Sequence, residues 1–249
     1  MQMQWRIAAA ALSLGLLGSG CASISQVQTA DTLGAGKFQV ALEPGVRGAI
    51  LRADTTGAAE DATGYLPQFD VAIRYGVTDH LDLGARVGTS LAELQGKYLF
   101  TNPENRTLAI SLAPSVSGAT IGSGDTSVGY VNLGIPLLVG FKTTGGSELV
   151  LGPRLDGTRY FGSSSGSSGS VNVLSAGASL GYALRVSEGF RLMPEVAVAT
   201  PVYGNVTAGS DSTSGAITGG ASIQFRLGFL FGQGRPSFSA LAEGQDEVE

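Results

Sequence analysis

Cysteine is nearly missing from this chain: its 249 residues include one, Cys21, which excludes a disulfide framework and a thiolate metal site. Histidine is as scarce, with His80 the single copy. It stands beside Asp79 in a short polar stretch, and no serine or carboxylate partner in a pocket can be named for it. General acid–base or nucleophilic catalysis needs such a positioned partner, so the chain reads as a non-enzyme without a metal. Charge is also thin, at 14% of residues, with a net charge of −5 and no basic tract. Clustered Lys and Arg are what nucleic acid demands, so that partner class is excluded. Long apolar runs are missing too. Beyond residue 20 nothing approaches the ~20 apolar residues that a membrane helix needs, although mean hydropathy is +0.20.

What is present is alternation. In residues 66–87, LPQFDVAIRYGVTDHLDLGARV, Phe69, Val71, Ile73, Tyr75 and Val77 alternate with Gln68, Asp70, Ala72, Arg74 and Gly76. After a polar turn at 78–80, Leu81, Leu83, Ala85 and Val87 alternate with Asp82, Gly84 and Arg86. A period of two sends side chains to opposite faces of a strand. One face is wholly apolar and the other carries charges and glycines. Hydrophobicity spread thinly over such segments is the weak signature of a transmembrane β-barrel. A soluble β-sandwich, whose strands also alternate, is the other reading.

The same pattern predicts further strands near 37–50, 91–100, 107–117, 128–141, 148–161, 171–186, 190–200 and 216–231. The apolar phase changes after Val87, which a tight turn at Gly88-Thr89-Ser90 absorbs better than a bulge in one long strand. The total is an all-β, antiparallel, up-and-down barrel of about ten strands, with eight as the alternative if weak strands merge. Loop lengths favour the even count of ten. Short turns at TDH, TNPEN, KTTGGS and SEG fall on one side, the periplasmic one in a bacterial barrel. The longer polar segments 51–65, 119–127, 162–170 and 205–214 fall on the other. Of these, GSSSGSSGS at 162–170 is low-complexity and reads as flexible.

The polar faces collect Lys37, Glu43, Arg47, Asp70, Arg74, Asp82, Arg86, Glu93, Lys97, Arg154, Asp156, Arg185, Arg191, Glu195 and Arg226. On a lipid-facing surface each would cost about 2–4 kcal/mol near the midplane. They are therefore assigned to the lumen, paired with opposite charges, where they fill a barrel of this size and leave at most a narrow passage. Inward-facing Arg74, Arg86, Arg154 and Arg226 are the criterion for a membrane barrel. Solvent-facing ones would make this a soluble domain that binds a partner or an apolar ligand. Aromatics near strand ends, including Tyr65, Tyr75, Tyr98, Phe100, Phe141, Tyr182, Phe190, Phe225 and Phe231, are candidates for interfacial girdles.

The N-terminus reads as an address. Arg6, an apolar run from Ile7 to Leu17 and small residues thereafter have the layout of a secretory signal over 1–20. Its end, Leu17-Gly18-Ser19-Gly20-Cys21, resembles the bacterial lipoprotein signal, with Gly18 standing where an aliphatic residue is usual. The resemblance implies cleavage before Cys21, a covalent diacylglycerol and an N-acyl chain (commonly palmitate) on it, and no other cofactor. It also implies handling by the lipoprotein-sorting machinery, with Ala22 favouring the outer membrane. Residues 21–36 would be the lipidated cysteine and a flexible tether, 37–231 the barrel and 232–249 a polar tail.

The last strand alternates Ile223, Phe225, Leu227, Phe229 and Phe231 with Ser222, Gln224, Arg226 and Gly228. It resembles the terminal signal that hands outer-membrane barrels to their insertion machinery. The match is partial, and a polar tail follows it. The resemblance to outer-membrane barrel proteins covers about 37–231, rests on pattern, and implies outer-membrane lipid as the surroundings. The expected function is a structural or narrow-pore, porin-like role.

Overall fold

The computed structural model describes residues 23–52, 61–89, 91–123, 126–164, 167–208, 211–216 and 220–232. The signal segment, Cys21 and the tail beyond 232 lie outside the described residues.

Most of the strands follow from the alternation. In order they are β1 (Phe38–Arg52), β2 (Asp61–Gly76), β3 (Leu81–Gly88), β4 (Leu91–Leu99), β5 (Leu108–Leu112) and β6 (Ser115–Ser123). They continue with β7 (Thr126–Lys142), β8 (Glu148–Ser164), β9 (Ser167–Ser187), β10 (Phe190–Ala208), β11 (Asp211–Ala216) and β12 (Gly220–Gly232). All pair antiparallel in one sheet of twelve strands. β12 returns to β1 from Gln39↔Gly232 to Leu51↔Gly220, which closes the wall and removes both edges.

Twelve strands make ten rungs, because two rungs are each broken in two. β5 and β6 both lie between β4 and β7. They are interrupted at Ala113-Pro114, where proline has no N–H to give to the ladder. The chain still keeps its course: Ala113 N donates to Pro136 O, and Pro114 O accepts from Gly96 N. β11 and β12 likewise share one side of β10. The phase change after Val87 is a turn, with Gly88 facing Leu91 and Thr89 bonded to Phe69.

The long segments of the far end differ from expectation. Gly162, Ser163 and Ser164 pair with Gly169, Ser168 and Ser167, so most of the GSSSGSSGS run is a β-hairpin rather than a flexible loop. Residues 119–123 with 126–130, and 203–208 with 211–216, are hairpins as well. The backbone ladder continues there although the apolar alternation has stopped. A ladder needs only N–H and C=O partners, whereas alternation records where lipid begins and ends.

The two faces are sorted by parity. Leu133 and Leu155 on the outside are 48% and 54% exposed, while Glu43 inside is fully buried. At the short-turn end the outer face carries aromatics: Phe38 opposite Tyr75, Phe190 stacked on Phe231 (5.1 Å), and Tyr98 edge-on to Phe100 (5.3 Å). These have the placement of an interfacial girdle. Phe225 lies mid-strand and does not belong to it.

Candidate functional site

The lumen is organised around Glu43. Its carboxylate accepts from Arg74 (3.2 Å), Arg86 (3.3 Å) and Arg226 (3.1 Å). Arg226 also holds Asp70 (2.5 Å), Arg86 holds Glu93 (2.8 Å), Lys97 holds Asp82 (3.1 Å) and Arg154 holds Asp156 (2.5 Å). Strands β1, β2, β3, β4 and β12 are thus tied across the interior by ions whose partners were brought together only by closure. Burying such charges is tolerable because each is paired and hydrogen-bonded. The soluble-domain alternative is overturned here: Arg74, Arg86, Arg154 and Arg226 all point inward and are buried.

Among the other residues assigned to the lumen, Arg47 is buried with Nη2 3.4 Å from Ser222 Oγ, and Glu195 is buried against the chain described next. Arg185 and Arg191 stand near the short-turn mouth, where Arg185 pairs with exposed Glu188 (3.4 Å). Lys37 is half-buried at the same mouth.

What fills the space between these walls is the chain's own N-terminal arm. Residues 23–34 are all buried, which corrects the expectation of a flexible tether over 21–36. The arm enters from the short-turn mouth through a bend at Gly34 and Gly36, whose positive φ of 90° and 74° suits glycine. Asp79 accepts from Ala35 N–H, and its carbonyl accepts from Thr32 Oγ1 (2.6 Å). From there the arm climbs the lumen. Asp82, at the start of β3, accepts from Leu33 N–H (3.1 Å). Glu148 accepts from Ala30 (2.7 Å) and Asp31 (3.3 Å). Glu195 accepts from Gln26 (2.9 Å) and Val27 (2.7 Å), and Gln224 Oε1 from Ile24 (2.9 Å) and Ser25 (3.1 Å).

The arm's carbonyls are met by bases. Lys97 donates to Thr29 O (3.1 Å) and Asp31 O (2.6 Å), Arg74 to Gln26 O (3.4 Å), Arg86 to Ser25 O (3.1 Å), and Arg154 to Ile24 O. A buried strand with no neighbouring strand would leave its main chain unsatisfied; here side chains of the wall do the work of a partner strand. Val27, Ala30 and small wall residues such as Ala41, Ala72 and Ala183 form the apolar part of the same interior.

Reading by sequence missed Glu148, Gln224 and Lys142, which pairs with Asp31 at 2.7 Å. Glu148 and Gln224 share the parity of Arg154 and Arg226, so strict alternation contained the signal. His80 donates from Nδ1 to Leu99 O (2.9 Å) and stacks on Tyr98. That makes it a fastening of the turn rather than a freely solvated side chain. Among the described residues, no three His, Cys, Asp or Glu are grouped to hold a metal ion.

No protein-family model and no curated protein matches the sequence. Solved structures similar in shape include the outer membrane protease OmpT from Escherichia coli, at 9% identity over 84% of this chain and 100% of that one, with a TM-score of 0.43. The translocator domain of autotransporter NalP from Neisseria meningitidis gives 16% identity over 92% and 95%, with a TM-score of 0.47. Ail of Yersinia pestis gives 13% over 80% and 99%, with a TM-score of 0.32. At these identities and scores no activity or role passes from them to this chain. The closed wall, the apolar outer face and the charged interior make it a transmembrane β-barrel of the bacterial outer-membrane type.

Proposed function

We propose that this protein is an outer-membrane lipoprotein whose barrel is kept closed by its own N-terminal arm, a structural element of the membrane rather than an open pore or an enzyme. The short turns face the periplasm and the long hairpins face outward, following the loop-length habit of bacterial barrels. The observation that carries the reading is the arm. Its main chain is bonded to the wall from Ile24 to Leu33, and its side chains occupy what would otherwise be the passage.

The lipid belongs on Cys21, and the arm gives that anchor a direction. Ser23 is held by Gln224, which lies nearer the Gly220 end of β12 than the Gly232 end. The arm thus runs from the short-turn mouth towards the long-hairpin mouth, and acyl chains on Cys21 would leave the lumen on that side, towards the outer leaflet. Outer-membrane lipid is then the partner on both counts, with the insertion and lipoprotein-sorting machineries acting during biogenesis.

The test is fractionation of a Cys21→Ser variant exported from an ordinary cleavable signal. It is expected to remain in the outer membrane through a carbonate or urea wash and to extract only with detergent. Release as a soluble monomer would refute the barrel as the anchor. In planar bilayers the intact chain is expected to show no steady conductance, and a constant open current would refute closure by the arm.

A further inference from the structure

A continuous series of contacts holds the arm by its main chain. Glu195, Glu148 and Gln224 each take two consecutive or adjacent N–H groups, and Arg86, Lys97 and Arg154 each donate to carbonyls. Polar contacts from arm side chains to the barrel include Asp31 with Lys142, Thr32 with Asp79, and long ones from Ser23 to Gln224 and from Gln26 to Gln95 (both 3.4 Å). Recognition through the backbone is indifferent to sequence, and specificity comes only from the pockets that side chains enter. Those pockets are small and apolar: Ile24 against Ala197 and Ala199, and Val27 over Gly228, where an added Cβ would fall on Val27 Cγ1.

The wall also dictates shape. Val27 takes a φ of 23°, which a β-branched residue rarely adopts on its own. It does so where Glu195 collects its N–H together with that of Gln26.

We propose that the lumen is a binding channel for extended polypeptide backbone, occupied in cis by residues 23–33. It would accept in trans another extended peptide of small to medium, mostly uncharged side chains like those of the arm, whose one charge, Asp31, is met by Lys142. The inference rests on the arm-closed reading above. Charged wall groups alternating between carboxylate-type acceptors and cationic donors are the chemistry that a peptide main chain presents in mirror form. A hydrophilic small solute would not meet both sets along the whole length.

The experiment uses the full chain with Cys21→Ser and a protease recognition sequence placed at the exposed Ala35-Gly36 bend. After folding in detergent the chain is cut there. The two pieces are then unfolded together in denaturant and refolded with an excess of labelled competitor peptide. Three competitors are compared: the arm sequence SISQVQTADTL, a version with its polar residues permuted and Ile24, Val27 and Leu33 kept, and a peptide of equal length rich in Trp and Lys. The expected result is that the permuted peptide enters the barrel within about tenfold of the arm's own affinity, and the bulky charged peptide does not enter. Incorporation of the arm alone overturns the inference, as does refolding with the lumen empty or equal uptake of the bulky peptide. Conductance of the uncut chain separates the two readings. If that chain is closed yet only its own arm is taken up, arm closure stands and the general channel falls. If it conducts steadily, arm closure itself has failed.

Discussion

Replacing Glu43 by leucine tests whether the interior ion network is structural. Glu43 is fully buried and faces three guanidinium groups at 3.1–3.3 Å. The cost is not three times that of one pair, because two of the three bases keep another carboxylate: Arg86 retains Glu93 and Arg226 retains Asp70. Arg74 keeps Gln39 Oε1 and Gln26 O, both at 3.4 Å and both neutral. The loss therefore falls mainly on Arg74, as one buried cation without a carboxylate, worth about 3–5 kcal/mol. With a urea slope of about 2 kcal/mol per molar, that lowers the unfolding midpoint by about 2 M. Circular dichroism in detergent micelles, checked by the gel mobility of folded against unfolded barrel, reads the shift. In a Glu43→Leu, Arg74→Met double variant the stranded charge is gone, and much of the loss should be recovered. A midpoint that moves by less than about 0.5 M in the single variant, or falls further in the double, would refute the account.

Other outcomes follow from the same geometry. Leu133→Arg sets a charge on the outer face of β7 and should cost about 2–4 kcal/mol in lipid, measured as lost folding into vesicles, while leaving the detergent-folded form nearly intact. In a Cys21→Ser background, Ala35→Cys should react with a bulky maleimide in the membrane and Thr29→Cys should not, since Ala35 is exposed and Thr29 is buried. Gly228→Val fills the space that Val27 occupies. It should expel the arm and turn the Thr29→Cys site reactive, with protease cleavage within 23–33 as a second readout.

How much of this was legible beforehand depends on whether a feature leaves a local trace. Alternation does, because lipid on one side and ions on the other constrain every second residue. Thus Arg74, Arg86, Arg154 and Arg226 could be placed inward, the turn between Gly88 and Leu91 located, and ten rungs counted from parity. The division of two rungs was less visible: Ala113-Pro114 breaks a ladder without bending the chain out of the wall. The far-end hairpins were hidden because their many Ser, Thr and Gly residues are held by backbone pairing and show no apolar alternation.

The sequence by itself determined the wall: a period of two, renewed in strand after strand, sorts apolar from charged side chains and leaves closure as the way to satisfy both. Only the tertiary structure decided what lies inside it. Residues 23–33 mix Ser, Thr, Gln and Asp with Ile24, Val27, Ala30 and Leu33 and show no period of two, and their partners are as distant as Gln224, 200 positions from Ile24. Because those bonds are made by the arm's main chain, which every residue possesses, no side-chain pattern announces them. The lumen exists only once β12 has met β1, and the arm's place exists only with the lumen.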